Sequence, residues 1–68
     1  DARQALDWYR KSAEQGFAPA QYSLGMMYVQ GRGTAQDNGQ AKIWLEKAAE
    51  QGDADAQHVL QEMNRTDQ

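Results

Sequence analysis

Few side chains in this sequence of 68 residues can do acid–base or metal chemistry. His58 is the single histidine, cysteine is absent, and the serines are Ser12 and Ser23. Nucleophilic catalysis needs a nucleophile, a base and a group that orients the base, and zinc needs several nitrogen or sulfur ligands. Asp55 and Glu62 share a predicted helix face with His58, but one histidine is a poor start for either kind of site. We interpret His58 as a surface residue.

Paired carboxylates and glycines are the other features with chemical potential. Glu46 with Glu50, and Asp53 with Asp55, are explained more simply as helix-surface charge and N-terminal capping. The glycines of GRGTAQDNG, residues 31–39, lack the lysine–serine/threonine pair of a phosphate loop and serve a turn. The sequence therefore predicts no enzyme activity, no cofactor and no metal site; an enzyme-associated domain is the less favoured alternative.

Charge and hydropathy exclude further classes. Ten acidic and seven basic residues give a net charge of −3, and the basic residues are scattered among acids rather than gathered on one face. Nucleic-acid binders of this size usually carry a basic face, so we expect neither nucleic-acid binding nor attraction to anionic lipid. No apolar run approaches the ~18 residues of a membrane span, which predicts no membrane insertion. Asp1 is not an initiator methionine, which suggests a piece or a processed form.

A repeat with an offset of 36 residues dominates the sequence. The phrase AEQGFAPAQ, residues 13–21, returns as AEQGDADAQ, residues 49–57, and 14 of the 32 comparable pairs are identical without a gap. A fixed period between 20 and 50 residues indicates stacked supersecondary units. Apolar residues at three- and four-residue spacing predict that these units are helical.

Capping signals place the helix boundaries. Asp1 and Asp37 each precede a glutamine by three positions, in the form of a capping box, and Asp53 offers a cap to the last helix. Gly16 and Gly52 stand where a helix ends in the left-handed conformation. The sequence predicts an all-α fold of antiparallel helix hairpins, with helices at about 2–15, 19–30, 38–51 and 54–65. Pro19 fits the first turn of the second helix, and the alanines of the repeated phrase allow close helix approach at each tight corner.

These residues resemble the Sel-1-like repeat family, a relative of the tetratricopeptide repeats. The matching residues are Ala18, Ala20, Gln21, Leu24, Gly25, Met27, Tyr28, Gly31, Gly33, Asp37, Ala41, Trp44, Lys47, Ala48, Ala49 and Gly52. Each repeat of that family consists of a first and a second helix. The resemblance therefore implies one complete repeat at about 18–52, preceded by a helix of the second type and followed by a helix of the first type. In the last helix Gln61 replaces the glycine and Asn64 the tyrosine, so we interpret residues 54–68 as a C-terminal cap.

Three residues are assigned structural roles. Trp8 and Trp44 are predicted to be buried between helices, and Trp44→Ala to cost ~3–5 kcal/mol. Gly25 is predicted to mark a close helix crossing.

Leu6 and part of Tyr9 are expected to be exposed on the first helix, which predicts a homo-oligomer formed through that helix or by helix exchange.

The resemblance also implies a function. First helices of tetratricopeptide-like repeats line a concave groove, and tyrosine, methionine and valine on such a face suit a peptide or protein partner. The candidate groove residues are Tyr22, Met26, Val29, Gln30, His58, Glu62 and Arg65. We therefore predict a protein–protein interaction scaffold; the alternative is a purely structural capping segment of a longer array.

Overall fold

The computed structural model describes residues 1–66 of the chain and contains four α-helices there, with no strand in that range. The helices are α1 (Ala2–Glu14), α2 (Ala18–Gln30), α3 (Asn38–Glu50) and α4 (Ala54–Thr66). Each predicted boundary lies within one residue of the observed one, and the all-α fold class is confirmed. Residues 67 and 68, which belong to the predicted cap, lie outside the described residues.

The helices pack in chain order. The extensive packings are α1 on α2, α2 on α3 and α3 on α4, and the α2–α3 pair is the largest. The central helix α2 is therefore covered on two sides and contributes more buried residues than its neighbours. Leu24 of α2 and Leu45 of α3 are the largest side chains that are fully buried. Both belong to one hydrophobic cluster that also includes Leu6 of α1 and Ala56 of α4.

Aspartate caps begin three of the helices. Oδ1 of Asp37 accepts a hydrogen bond from the Gln40 backbone N–H at 3.0 Å, and Oδ1 of Asp53 accepts one from Ala56 at 2.9 Å. Asp1 caps α1 as predicted, although its Oδ1 accepts from the backbone N–H of Arg3 rather than that of Gln4. Each bond satisfies a backbone donor that has no partner within the helix.

The two tight corners use glycine in the left-handed region. Gly16 has φ 98° and Gly52 has φ 95°, a conformation that costs other residues steric strain. Gly16 follows the last turn of α1 and Gly52 follows the last turn of α3. The repeated phrase therefore builds the same corner twice, as predicted.

Leu6 and Trp8 occupy the opposite environments from those predicted. Leu6 is only 5% exposed and belongs to the core, whereas Trp8 is 73% exposed. Residues that are two positions apart in a helix, such as Leu6 and Trp8, point in directions about 200° apart around the helix axis. Because α1 turns Leu6 toward the core, it must turn Trp8 to solvent. The prediction that Tyr9 is partly exposed is confirmed at 40%.

Trp44 is half-buried rather than buried. Its ring packs against the core, and Nζ of Lys47 lies 5.9 Å from the ring centroid, within cation–π range. Helix α3 has neighbours on both sides, α2 and α4, whereas the extensive packing of α1 within residues 1–66 is against α2 alone. This difference explains why the equivalent tryptophans are covered to different extents.

Candidate functional site

A cleft of about 340 Å³ opens between α1 and α2, and we call it the α1–α2 cleft. The residues that line it are Ala5, Tyr9, Tyr22, Ser23, Met26, Met27, Gln30 and Arg32. Three of the predicted groove residues, Tyr22, Met26 and Gln30, therefore share one cavity. Its volume lies at the lower end of the range for ligand pockets.

Helical spacing explains why these side chains meet. Tyr22, Met26 and Gln30 are four residues apart on α2, so they form one stripe along the helix. Ala5 and Tyr9 have the same spacing on α1 and form the facing wall. The small side chain of Ala5 leaves the space between the two stripes open.

An apolar depression adjoins the cleft. It has a volume of about 490 Å³, shares Tyr9 and Ser23 with the cleft, and includes Phe17 and Pro19. Phe17 is 59% exposed. Because they share Tyr9 and Ser23, the two cavities form a continuous surface on one side of the α1–α2 pair.

Arg32 places a cation at one end of the cleft. The turn at Gly33 packs so tightly on the start of α1 that a β-carbon at residue 33 would collide with the carbonyl of Ala2. This contact holds the neighbouring Arg32 beside the N-terminal turn of α1. The Arg32 side chain is exposed and forms no ion pair within the described part of the chain.

The other predicted groove residues lie outside the cleft lining. Val29 is half-buried against the core, and its carbonyl accepts a hydrogen bond from Nε2 of Gln36 at 2.9 Å. His58, Glu62 and Arg65 are exposed on α4, where Nη1 of Arg65 lies 3.5 Å from Oε1 of Glu62. At an exposed site such a pair contributes little to stability.

A glutamine network at the corners was not predicted from the sequence. Nε2 of Gln21 donates to the carbonyl of Ala13 at 3.1 Å, and one period later Nε2 of Gln57 donates to the carbonyl of Ala49, also at 3.1 Å. Each glutamine gives the carbonyl a second donor, in addition to the backbone N–H of Gly16 or Gly52. The signal was available, because both glutamines belong to the repeated phrase.

A third glutamine, Gln51, joins the two corners. Nε2 of Gln51 donates to the carbonyl of Gly16 at 2.8 Å and to Oε1 of Gln21 at 2.9 Å. Gln21 is 4% exposed, so both ends of its side-chain amide are satisfied inside the protein. The network fixes the geometry of one corner relative to the next and thereby holds α2 in place beside the cleft.

A polar contact also ties α1 to α2. Nη2 of Arg10 donates to the hydroxyl of Tyr28 at 3.0 Å, and this hydrogen bond raises the pKa of Arg10. Arginine is protonated at ordinary pH in any case, so the contact changes packing rather than charge.

The described residues form neither a metal-binding cluster nor a membrane span. No group of three or more histidine, aspartate or glutamate side chains within residues 1–66 is placed to hold a metal ion. None of the helices in this range is long and apolar enough to span a bilayer.

Five cleft residues were not among the predicted groove residues: Ala5, Tyr9, Ser23, Met27 and Arg32. Tyr9 was considered only as an exposed surface of α1, and Arg32 as one of several scattered cations. No signal in the sequence pointed to Tyr9, because it faces Tyr22 and Met26 only through the packing of α1 on α2.

Comparisons with known proteins complete the description. The family model of the Sel1 repeat matches residues 1–17 and 18–53. A solved Sel1 repeat protein from Oxalobacter formigenes is similar to the chain with a TM-score of 0.90 and 43% sequence identity; the similarity covers 93% of this chain and 18% of that protein. No curated protein matches the chain.

Proposed function

The chain belongs to the Sel1 repeat family, and from that premise we propose that it is a protein-interaction module with its binding surface in the α1–α2 cleft. Members of this family are generally helical repeats that mediate protein interactions, and they are typically non-catalytic scaffolds. The chain spans 18% of the length of the related Oxalobacter protein. A module that presents a binding surface and catalyses no reaction is consistent with a chain that corresponds to a short part of a repeat protein.

The observation that carries the proposal is the cleft itself. It places the aromatic ring of Tyr9 opposite Tyr22 and Met26, with Arg32 at one end. Aromatic and methionine side chains together with arginine are the types enriched at protein interfaces. All of them line a cleft of about 340 Å³, which has space for an inserted side chain.

The exposed residues of α4 extend the proposed surface. The repeat offset pairs His58 with Tyr22, Glu62 with Met26 and Arg65 with Val29. On α2 this stripe is apolar, and on α4 it is polar and charged. We propose that the partner buries apolar side chains in the α1–α2 cleft and that the stripe of α4 contributes orientation through charge.

Catalysis has little to support it. Among the described residues, His58 and all the carboxylates except that of the half-buried Asp53 are exposed, and none of them lines the α1–α2 cleft. We therefore propose that the protein is not an enzyme.

A second candidate function, capping of a longer repeat array by α4, has its own support. In the α2–α3 pair, the crossing requires glycine, because a β-carbon on residue 25 would lie 2.7 Å from Cγ of Leu45. The equivalent residue on α4 is Gln61, and Asn64 stands where α2 has Tyr28. A further helix cannot pack on α4 in the same way, so α4 is suited to end an array.

Peptide selection followed by NMR tests the interaction proposal. Peptides selected on the intact chain from a random library should shift the amide resonances of Ala5, Tyr9, Tyr22 and Met26. Gln30→Lys and Met26→Ala should weaken their binding, whereas Trp8→Ala, which alters an exposed aromatic outside the cleft, should not.

Thermal unfolding of each variant shows whether it remains folded, because Met26 is packed against the core while Gln30 is exposed. Amide shifts confined to α4, or equal loss of binding in Trp8→Ala, would count against the cleft as the binding surface.

A further inference from the structure

We infer that Asn38 is a site of self-modification, at which the chain converts the side-chain amide to a carboxylate through attack by the backbone nitrogen of Gly39. The rate of this reaction is set by the N-terminal cap of α3. The modification acts where the second helix of the complete repeat begins, and it does not depend on the proposed function.

The sequence and the exposure of this pair favour the reaction. Asn38 and Gly39 form the one asparagine–glycine pair in the chain. Both residues are exposed, and the nearest atom that a β-carbon at residue 39 would meet is Oδ1 of Asp37, at 3.3 Å. The nitrogen of Gly39 is therefore unhindered by a side chain. The other asparagine, Asn64, is followed by Arg65, whose β-carbon obstructs the equivalent attack.

The reaction at Asn38 is a substitution followed by a hydrolysis. The backbone nitrogen of Gly39 loses its proton to hydroxide and bonds to Cγ of Asn38, which closes a five-membered imide ring. The bond from Cγ to the side-chain nitrogen breaks, and that nitrogen leaves as ammonia after taking a proton from water. Water then opens the imide at one of its two carbonyl carbons, which gives aspartate or isoaspartate. Nothing is oxidised or reduced, and water is the only co-reactant.

The helix opposes this attack until its first turn opens. Asn38 is the first residue of α3, and a helical backbone conformation holds the nitrogen of Gly39 away from Cγ. Two hydrogen bonds close this turn: Oδ1 of Asp37 accepts from the N–H of Gln40, and the carbonyl of Asp37 accepts from the N–H of Ala41, both at 3.0 Å. Because the N–H of Gly39 has no acceptor four residues earlier in the helix, opening the turn requires little more than the loss of these two bonds.

The two products have opposite consequences for α3. Isoaspartate at residue 38 routes the main chain through the β-carbon and adds one atom to the backbone between Asp37 and Gln40. The hydrogen bonds that span this segment then lose their geometry, next to the fully buried Ala41. Aspartate at residue 38 keeps the backbone and places a carboxylate in the first turn, where α3 has no acidic residue and where negative charge is favourable.

Incubation of the intact chain, followed by peptide mapping with mass spectrometry, measures the reaction at each asparagine separately. We expect Asn38 to lose its amide faster than Asn64. Asp37→Ala removes the cap and should accelerate the reaction at Asn38 about fivefold, because a cap contributes about 1 kcal/mol, which is a factor of about five in an equilibrium constant. The matched control, Asp53→Ala, removes the equivalent cap of α4 and should leave the rate at Asn38 unchanged.

Two further measurements separate opening of the first turn from unfolding of the chain. Asp37→Ser keeps an oxygen that can cap the helix, so its rate should be close to that of the wild type. Unfolding in urea removes the helix altogether, and Asn38 should then react faster than in any folded chain. Circular dichroism at the incubation temperature shows which variants are folded.

Three results would overturn the inference. The first is a reaction at Asn64 as fast as that at Asn38, and the second is a rate at Asn38 that urea does not raise. The third is equal acceleration by Asp37→Ala and Asp53→Ala, which would show that the cap of α3 does not control the reaction.

The stability of the products tests the structural consequence. Aged chains that carry isoaspartate are separated by chromatography and compared with the Asn38→Asp variant, which represents the other product. We expect the isoaspartate chain to melt at a lower temperature than the wild type, and Asn38→Asp to melt at the same temperature or higher. Equal melting temperatures for the two products would contradict the role assigned to the hydrogen bonds of Asp37.

Discussion

Gly25 of α2 faces Leu45 of α3 with no room for a side chain between them. A β-carbon at residue 25 would lie 2.7 Å from Cγ and 3.0 Å from Cδ2 of Leu45, which is too close for carbon atoms that are not bonded to each other. Leu45 is fully buried and cannot move aside without displacing the core. This crossing fixes the distance between α2 and α3, the two helices of the complete repeat.

Gly25→Ala should therefore destabilise the protein. Alanine gains about 1 kcal/mol of helix propensity over glycine, but overpacking this crossing costs about 1–3 kcal/mol, and the Ala41 carbonyl on the other side restricts relaxation. We expect a net loss of about 1 kcal/mol in the free energy of unfolding, measured by urea denaturation. The matched control is Gln61→Ala at an exposed position of α4. This substitution should change the free energy of unfolding by less than about 0.5 kcal/mol. A Gly25→Ala variant more stable than the wild type would contradict the tight crossing.

Gln21→Leu should cost more than the same change at its repeat equivalent, Gln57. The Gln21 amide is buried and joins the carbonyl of Ala13 to the side chain of Gln51. Its removal therefore loses two hydrogen bonds, each of which contributes about 0.5–1.5 kcal/mol. Gln57 is exposed, and water can replace its hydrogen bond to Ala49. Equal losses in the two variants, measured by thermal unfolding, would show that the network between the corners contributes nothing beyond a helix cap.

The fold could be predicted because its determinants are local. Asp37, Asp53, Gly16 and Gly52 set the helix ends through their own backbone and side-chain geometry, and the repeat offset showed that the same unit occurs twice. The close crossing at Gly25 was also predictable, since glycine in a helix interior is unfavourable without a compensating contact.

The repeat alone does not contain the information needed to predict the cleft or the burial of individual side chains. The identity of Trp8 and Trp44 suggested equal burial, but burial depends on how many helices pack around each one, and α1 and α3 differ in this respect. Leu6 has Lys42 as its counterpart, so the repeat gave no sign that it faces the core. The cleft required knowing that Tyr9 of α1 lies opposite Tyr22 and Met26 of α2.

Trp8→Ala and Trp44→Ala should differ despite the equivalence of the two positions. Trp8 is largely exposed, and we expect its removal to change the free energy of unfolding by less than about 0.5 kcal/mol. Trp44 is half-buried, so its loss should cost about 1–3 kcal/mol, below the 3–5 kcal/mol typical of a fully buried aromatic residue. Chemical denaturation followed by circular dichroism, which does not rely on tryptophan fluorescence, makes the comparison. Similar values for both variants would contradict the asymmetric packing of α1 and α3.

Self-association through α1 remains a prediction, with Tyr9 and Phe17 rather than Leu6 as the apolar contacts. Tyr9 and Phe17 are 40% and 59% exposed on the same surface, and pairing of two copies would remove this area from water. Static light scattering should show a mass that rises with concentration. Tyr9→Glu should restore the monomer without lowering the melting temperature, and Trp8→Glu serves as the control on the other face of α1. A constant monomeric mass at high concentration would refute the prediction.

Photocrosslinking in cells that naturally make the protein tests the interaction surface most directly. A benzophenone-bearing phenylalanine derivative replaces Tyr22 in one variant and Trp8 in another, so that both probes are aromatic substitutions differing only in whether they lie in the α1–α2 cleft. We predict discrete crosslinked protein adducts from residue 22 and few from residue 8, even though residue 8 is more exposed. Adducts that form equally at both positions, or only at residue 8, would contradict the assignment of the cleft as the surface through which this repeat holds its partner.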